Sequence, residues 1–158
     1  LGEKNYREFI SKEAEFLLKP GKILNEKGEV LGTHKGIAFY TIGQRKGIGV
    51  FQNKPLYVIK IDSKNNTIVV GNEEELYRRE LIAENVNLIP YKNLEGDKRV
   101  TAKIRYKQAE SEAIISPLDK NKIKVVFLEP QRAITPGQSV VFYEEDILVG
   151  GGIISEKI

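Results

Sequence analysis

The sequence predicts a mainly β protein: one early helix, a small β-rich unit, and an antiparallel β-barrel at the end. Three observations carry this expectation. Helical spacing is confined to the opening residues, short alternating apolar segments recur from Gly21 onward, and turn-forming residues separate those segments at short intervals.

The helix is expected between Asn5 and Leu17. Asn5 is a capping residue, Glu8 follows three positions later as in a capping box, and Tyr6, Phe9, Ile10, Glu13 and Leu17 recur at helical spacing. Pro20-Gly21 should stop it. Leu56 to Asp62 then alternates and runs through Ser63-Lys64-Asn65-Asn66 into Thr67 to Val70, which predicts a hairpin. Glu73 to Arg79 reads as a short helical turn and Leu81 to Leu88 as a strand. The polar, breaker-rich stretch Pro90 to Lys98 is the expected boundary, dividing the chain into domains 1–90 and 91–158. Beyond it, Arg99–Lys107, Glu112–Ser116, Lys122–Leu128, Ser139–Tyr143 and Ile147–Ile154 supply at least five closely spaced strands, as a small antiparallel barrel requires.

Composition narrows the chemistry. With 41% apolar and 30% charged residues in 158, the chain is ordinary for a globular protein, and no apolar run approaches the ~20 residues of a membrane-spanning helix. Cysteine is absent, which excludes disulfides, thiolate metal sites and thiol nucleophiles within the chain, and fits a cytoplasmic setting. Methionine is absent too, so Leu1 is not an initiator and a fragment is expected. Lys and Arg number 25 against 22 Asp and Glu, a net charge of +3, so any nucleic-acid surface must arise from how the cations are distributed.

Four features could carry function. In RVTAKIRYK, strand alternation places Arg99, Thr101, Lys103, Arg105 and Lys107 on one face, either a ridge for phosphates or a solvated outer face. In TIGQRKGIG, Gln44, Arg45 and Lys46 stand between glycines, as donors for carbonyls or phosphates or as parts of a structured loop; the loop lacks the GK[ST] of a nucleotide cradle. His34 is the only histidine and has no neighbours at metal-ligand spacing, which favours a loop histidine with local hydrogen bonds. In TPGQS, Pro136-Gly137 suits a type II turn, and Gln138 enters a strand where its amide faces either water or a base edge. Gly150-Gly151-Gly152 marks a bulge or a close backbone approach rather than a ligand cradle.

The blocks LGEKNYREFI, GTHKGIAFYTIGQRKGIGV, LYVIKID, RYKQ and AITPGQSVVFYEEDILVGGGII, in this order from Leu1 to about Ile154, resemble the tRNA-specific 2-thiouridylases, the MnmA family. The resemblance implies a three-part parent. An amino-terminal ATP-pyrophosphatase domain adenylates the wobble uridine, and a central domain and a carboxy-terminal barrel similar to those of translation factors hold the tRNA. This chain would be the last two parts. The nucleotide loop, the catalytic aspartate and the first cysteine would lie outside it. The second cysteine, in a CFxGE-like motif, would immediately precede Leu1-Gly2-Glu3. Without a thiol to carry a persulfide, the fragment should be inactive alone and should take no cofactor, ATP being used by the parent. The family's tRNA contacts map onto Arg105, Tyr106 and Gln138, and Gln44, Arg45 and Lys46 match a loop near the parent's reaction centre. Alternation agrees for Arg105 but sends Tyr106 to the opposite face unless the strand twists or ends there. Expected partners are tRNA and, through the parent, a sulfur-relay protein or cysteine desulfurase. The alternatives are a protein-interaction barrel docking such a relay partner, and a translation-GTPase fragment, against which TIGQRKG argues.

Overall fold

The computed structural model describes residues 17–51 and 53–155. The helix expected between Asn5 and Leu17 falls, apart from Leu17, outside those residues. From Gly21 to Ser155 the helical elements among the described residues are short 3-10 turns at Ile37–Phe39 and Glu73–Leu76. No helix among them is long and apolar enough to cross a membrane.

Two compact units are present, residues 1–76 and 77–158. The boundary therefore lies between Leu76 and Tyr77, not in Pro90–Lys98. The physical reason is a single long strand: Tyr77–Leu88 pairs on both sides within the second unit, so it cannot belong to the first.

The first unit is a four-stranded sheet. Strands β1 (Gly21–Leu24), β2 (Val30–His34), β3 (Tyr57–Asp62) and β4 (Thr67–Gly71) lie in the order β2-β1-β4-β3. The expected hairpin is β3–β4, where Ile61 faces Ile68 and Asn66 takes the left-handed conformation that asparagine tolerates, with φ 49°. One pairing departs from the antiparallel expectation: β1 runs parallel to β4. Two hairpins brought side by side produce that pairing, and loop signals do not encode it. Ile23, Ile37, Ile48, Val58, Ile68 and Val70 form the core of this unit.

The second unit is a closed antiparallel barrel. Strand β5 (Tyr77–Leu88) is joined by β6 (Lys98–Lys103), β7 (Ser111–Asp119), β8 (Lys122–Arg132), β9 (Ser139–Glu144) and β10 (Ile147–Ile154), in the order β10-β5-β8-β7-β6-β9. Period-two burial fills the interior: Leu81 and Ala83, Val100 and Ala102, Ala113 and Ile115, Ile123, Val125 and Phe127, Val140 and Phe142. Closure leaves no strand edge unpaired. The triple glycine behaves as expected. The β10 register shifts against both neighbours, and a Cβ at Gly151 would come within 2.7 Å of the Val140 carbonyl oxygen.

Candidate nucleic-acid interface

The cationic ridge foreseen on RVTAKIRYK is largely neutralised. Register sets Thr101 opposite Glu112 and Ala102 opposite Ser111, which brings carboxylates alongside the outward face of β6. Arg99 lies 3.7 Å from Glu112, Lys103 lies 3.7 Å from Glu110, and the Thr101 hydroxyl donates to Glu110 at 2.8 Å. Each exposed pair contributes only about 0–1 kcal/mol to stability, but together they cancel the field along the strand. This ridge is an ion-paired sheet face.

A different set of polar and charged side chains gathers at one end of the barrel. Strand β6 ends at Lys103 rather than Lys107: Ile104 still points into the core as alternation requires, but the chain then turns, the Gln108 amide donating to the Arg105 carbonyl at 3.2 Å. Alternation therefore stops before Arg105 and Tyr106, and the conflict over their faces disappears. Tyr106 is 94% exposed; Arg105 is half-buried and, among the described residues, pairs with no carboxylate.

Arg105 Nη2 donates to the Ala133 carbonyl at 2.8 Å, tying the β6–β7 turn to the β8–β9 connection. Ala133 has φ 54°, a left-handed conformation that costs a non-glycine residue about 1–2 kcal/mol, and the Thr135 hydroxyl donates to the same carbonyl at 2.9 Å. Pro136-Gly137 then turns the chain, with Gly137 at φ 82° and the Gln138 amide donating to Thr135. Backbone bonds from Gly137 to Ile154 (2.9 Å) and from Ile154 to Gln138 (2.8 Å) pin the turn against β10, leaving the Gln138 side chain exposed at the mouth of β9. Arg105, Tyr106 and Gln138 thus meet at one barrel end.

Sequence reasoning missed two parts of this end. Gln131, only 6% exposed, accepts from Gln108 (2.8 Å) and Ser111 (3.2 Å) and donates to the Glu129 carbonyl (2.8 Å). Nothing local marks it, since the two side chains that donate to it stand 23 and 20 positions away. The second part is basic. Tyr77 pairs with Arg132 and Arg78 with Gln131, so Tyr77, Arg78, Arg79 and Arg132 join the same end. The dipeptide Arg78-Arg79 was visible, but reading 73–79 as a helical turn kept it off the barrel.

The TIGQRKG loop belongs to the first unit. Gln44 is structural: its Oε1 accepts from the Thr41 amide (3.0 Å), its Nε2 donates to the Lys46 carbonyl (2.9 Å), and backbone bonds with Val58 hold the loop on β3. Gly43 and Gly47 have φ of 87° and 73°, so each glycine is required by conformation. Arg45 and Lys46 are exposed.

His34 closes β2 rather than sitting in a loop, and it is buried. Its Nδ1 accepts from the Gly36 amide at 3.1 Å, which leaves Nε2–H to donate to the Asn66 carbonyl at 3.1 Å. Both ring nitrogens are consumed by the fold.

The chain matches two family models that divide where the fold does. Residues 7–72 match the tRNA methyl transferase PRC-barrel domain and residues 78–154 the aminomethyltransferase beta-barrel domain. Over 154 residues, 98% of its length, it is 51% identical to the tRNA-specific 2-thiouridylase MnmA of Acetivibrio thermocellus. The chain belongs to the tRNA-specific 2-thiouridylase family. It is also 51% identical over 156 residues to MnmA 2 of a Thermoanaerobacter species, and 48% identical over all 158 residues to MnmA of Clostridium beijerinckii. It spans 43%, 43% and 44% of the lengths of those three relatives.

Proposed function

We propose that this chain is the tRNA-positioning part of an enzyme that places sulfur on the 2-position of a wobble uridine. The observation that carries the reading is the barrel end, which brings Arg105, Arg78 and Arg79 to the same rim as the exposed ring of Tyr106 and the amide of Gln138. Arginine forks suit phosphate oxygens, an exposed ring offers a stacking face, and a side-chain amide suits a base edge. Membership in a family whose members are named as tRNA-specific 2-thiouridylases supports tRNA as the ligand.

In this reading the chain contributes binding and orientation. It has no cysteine, so the sulfur-bearing thiol must come from elsewhere in such an enzyme, and we assign ATP use there as well. Arg45 and Lys46 would present their charges towards the reacting nucleotide. The setting is cytoplasmic, where tRNA is modified, and a sulfur-relay protein or desulfurase would act through the enzyme as a whole.

A gel shift with substrate tRNA across a salt series tests the reading. Affinity should fall steeply as salt rises, since each phosphate contact releases counterions. Salt-independent binding, or saturable binding of a relay protein with none of tRNA, would replace it with a protein-docking barrel.

A further inference from the structure

The first unit carries a groove of about 870 Å³ whose chemistry differs from that of the barrel end. Lys35, Arg45, Lys46 and Lys54 line it, and no aspartate or glutamate does. None of these four cations forms an ion pair among the described residues. Phe39, on the Ile37–Phe39 turn, is 61% exposed, and Phe51 is 98% exposed. A phenylalanine left almost wholly in water contributes no apolar burial to folding, so its ring face remains for a ligand. The loop that presents Arg45 and Lys46 is braced by Gln44, which spends both ends of its amide on Thr41 and Lys46.

We infer that this groove binds a single-stranded RNA segment, with Phe51 and Phe39 stacking on unpaired bases and the four cations following the phosphates. Charge complementarity selects a polyanion, and the aromatic rings select among polyanions. A duplex keeps its base faces stacked on one another and has none to offer, whereas a single strand can turn a base onto each ring. An acidic protein segment satisfies the lysines but leaves the rings without a matching face. The inference rests on the proposal that the chain handles RNA, but it uses residues of the other unit.

The test is fluorescence anisotropy with the 158-residue chain. The probes are a short labelled oligouridylate, a blunt RNA duplex and substrate tRNA, with polyglutamate as competitor. Phe51→Ala should weaken oligouridylate binding by about 5- to 150-fold, the range typical of one lost base–aromatic stack, and leave duplex binding unchanged. Exposure of the ring means that this substitution does not threaten folding. Phe39→Ala should act in the same direction, and polyglutamate should compete poorly. Unchanged oligouridylate affinity in both phenylalanine variants would overturn the inference, as would competition by polyglutamate equal to that of unlabelled oligouridylate. Arg105→Ala keeps the two proposals apart. If tRNA affinity ignores Arg105 while oligouridylate affinity follows Phe51, the barrel-end reading fails and the groove stands. The reverse pattern removes the groove alone.

Discussion

Arg105 Nη2 sits 2.8 Å from the carbonyl oxygen of Ala133 and joins two loops that the chain separates by 28 positions. The bond uses one of the five guanidinium N–H groups, so the fork is oriented while most of its donors remain for a ligand. Arg105→Ala should therefore cost about 1–3 kcal/mol of RNA affinity and lower the slope of log affinity against log salt by about 0.7–0.9. Gln138→Ala should cost nearer ~1 kcal/mol and leave the slope unchanged, because an uncharged amide releases no counterion. Binding isotherms in the full-length enzyme over several salt concentrations check both. A salt slope that Arg105→Ala does not change would remove the phosphate assignment.

Gln131 should be the stabilising centre of that barrel end. Gln131→Leu preserves its bulk but leaves the Gln108 amide and the Ser111 hydroxyl without their acceptor, costing about 1–3 kcal/mol for each group that stays dry. Urea unfolding measures the loss. A change within experimental error would mean that water replaces the glutamine without penalty.

His34 offers a parallel case in the first unit. His34→Phe retains an aromatic ring but abandons the Gly36 amide and the Asn66 carbonyl, so the sheet should lose about 1–3 kcal/mol per abandoned group. Metal titration should leave the wild-type melting temperature unchanged, as both ring nitrogens are already engaged. A rise in Tm with zinc would contradict the structural role.

Acidity should act on the first unit in two opposing ways. Asp62 accepts from the side chain of Asn65 and then from its backbone amide, and these bonds hold its carboxyl below the ordinary 3.8. A lowered carboxylate pKa stabilises at pH above 3.8, and the contribution is lost as pH falls through the folded value. Glu26 is shifted the other way: its hydrogen bond with Glu75, with some desolvation and repulsion, raises it above 4.5. That contribution is complete below 4.5 and is lost as pH rises through the folded value. Glu26→Gln should accordingly raise Tm at neutral pH and give little gain in acid, while Asp62→Asn should lower Tm at neutral pH and matter less in acid. Thermal melts at both pH values decide the signs, and a Glu26→Gln gain that grows on acidification would refute the carboxyl pairing.

Local patterns made much of the barrel legible. Alternation located β6 through β10 because each interior residue, such as Val125 or Phe142, is buried by its own strand's pleat. The mixed sheet was less legible, since the parallel pairing of Lys22 with Thr67 joins segments 45 positions apart and leaves no periodic trace. The same limit governed the site. Arg105 and Gln138 are expectations drawn from their motifs, whereas the places of Gln131 and Arg78 at the same barrel end become visible only when strand register brings β5 and β8 together. The cancelled ridge had the same cause: Glu110 and Glu112 acquire meaning only from the alignment of β7 against β6.

The barrel closes between β5 and β10, so the first and last strands of the second unit are immediate neighbours, and the Ser155 amide donates to the Ile82 carbonyl at 2.8 Å. Such a ring of strands has no structural starting point. A peptide linker could join the neighbourhood of Ser155 to Tyr77, and new chain ends could open at the exposed Glu145-Asp146 turn, at the opposite end from Arg105. Circular permutation at that turn would preserve every strand pairing while detaching the barrel from the order in which it is synthesised.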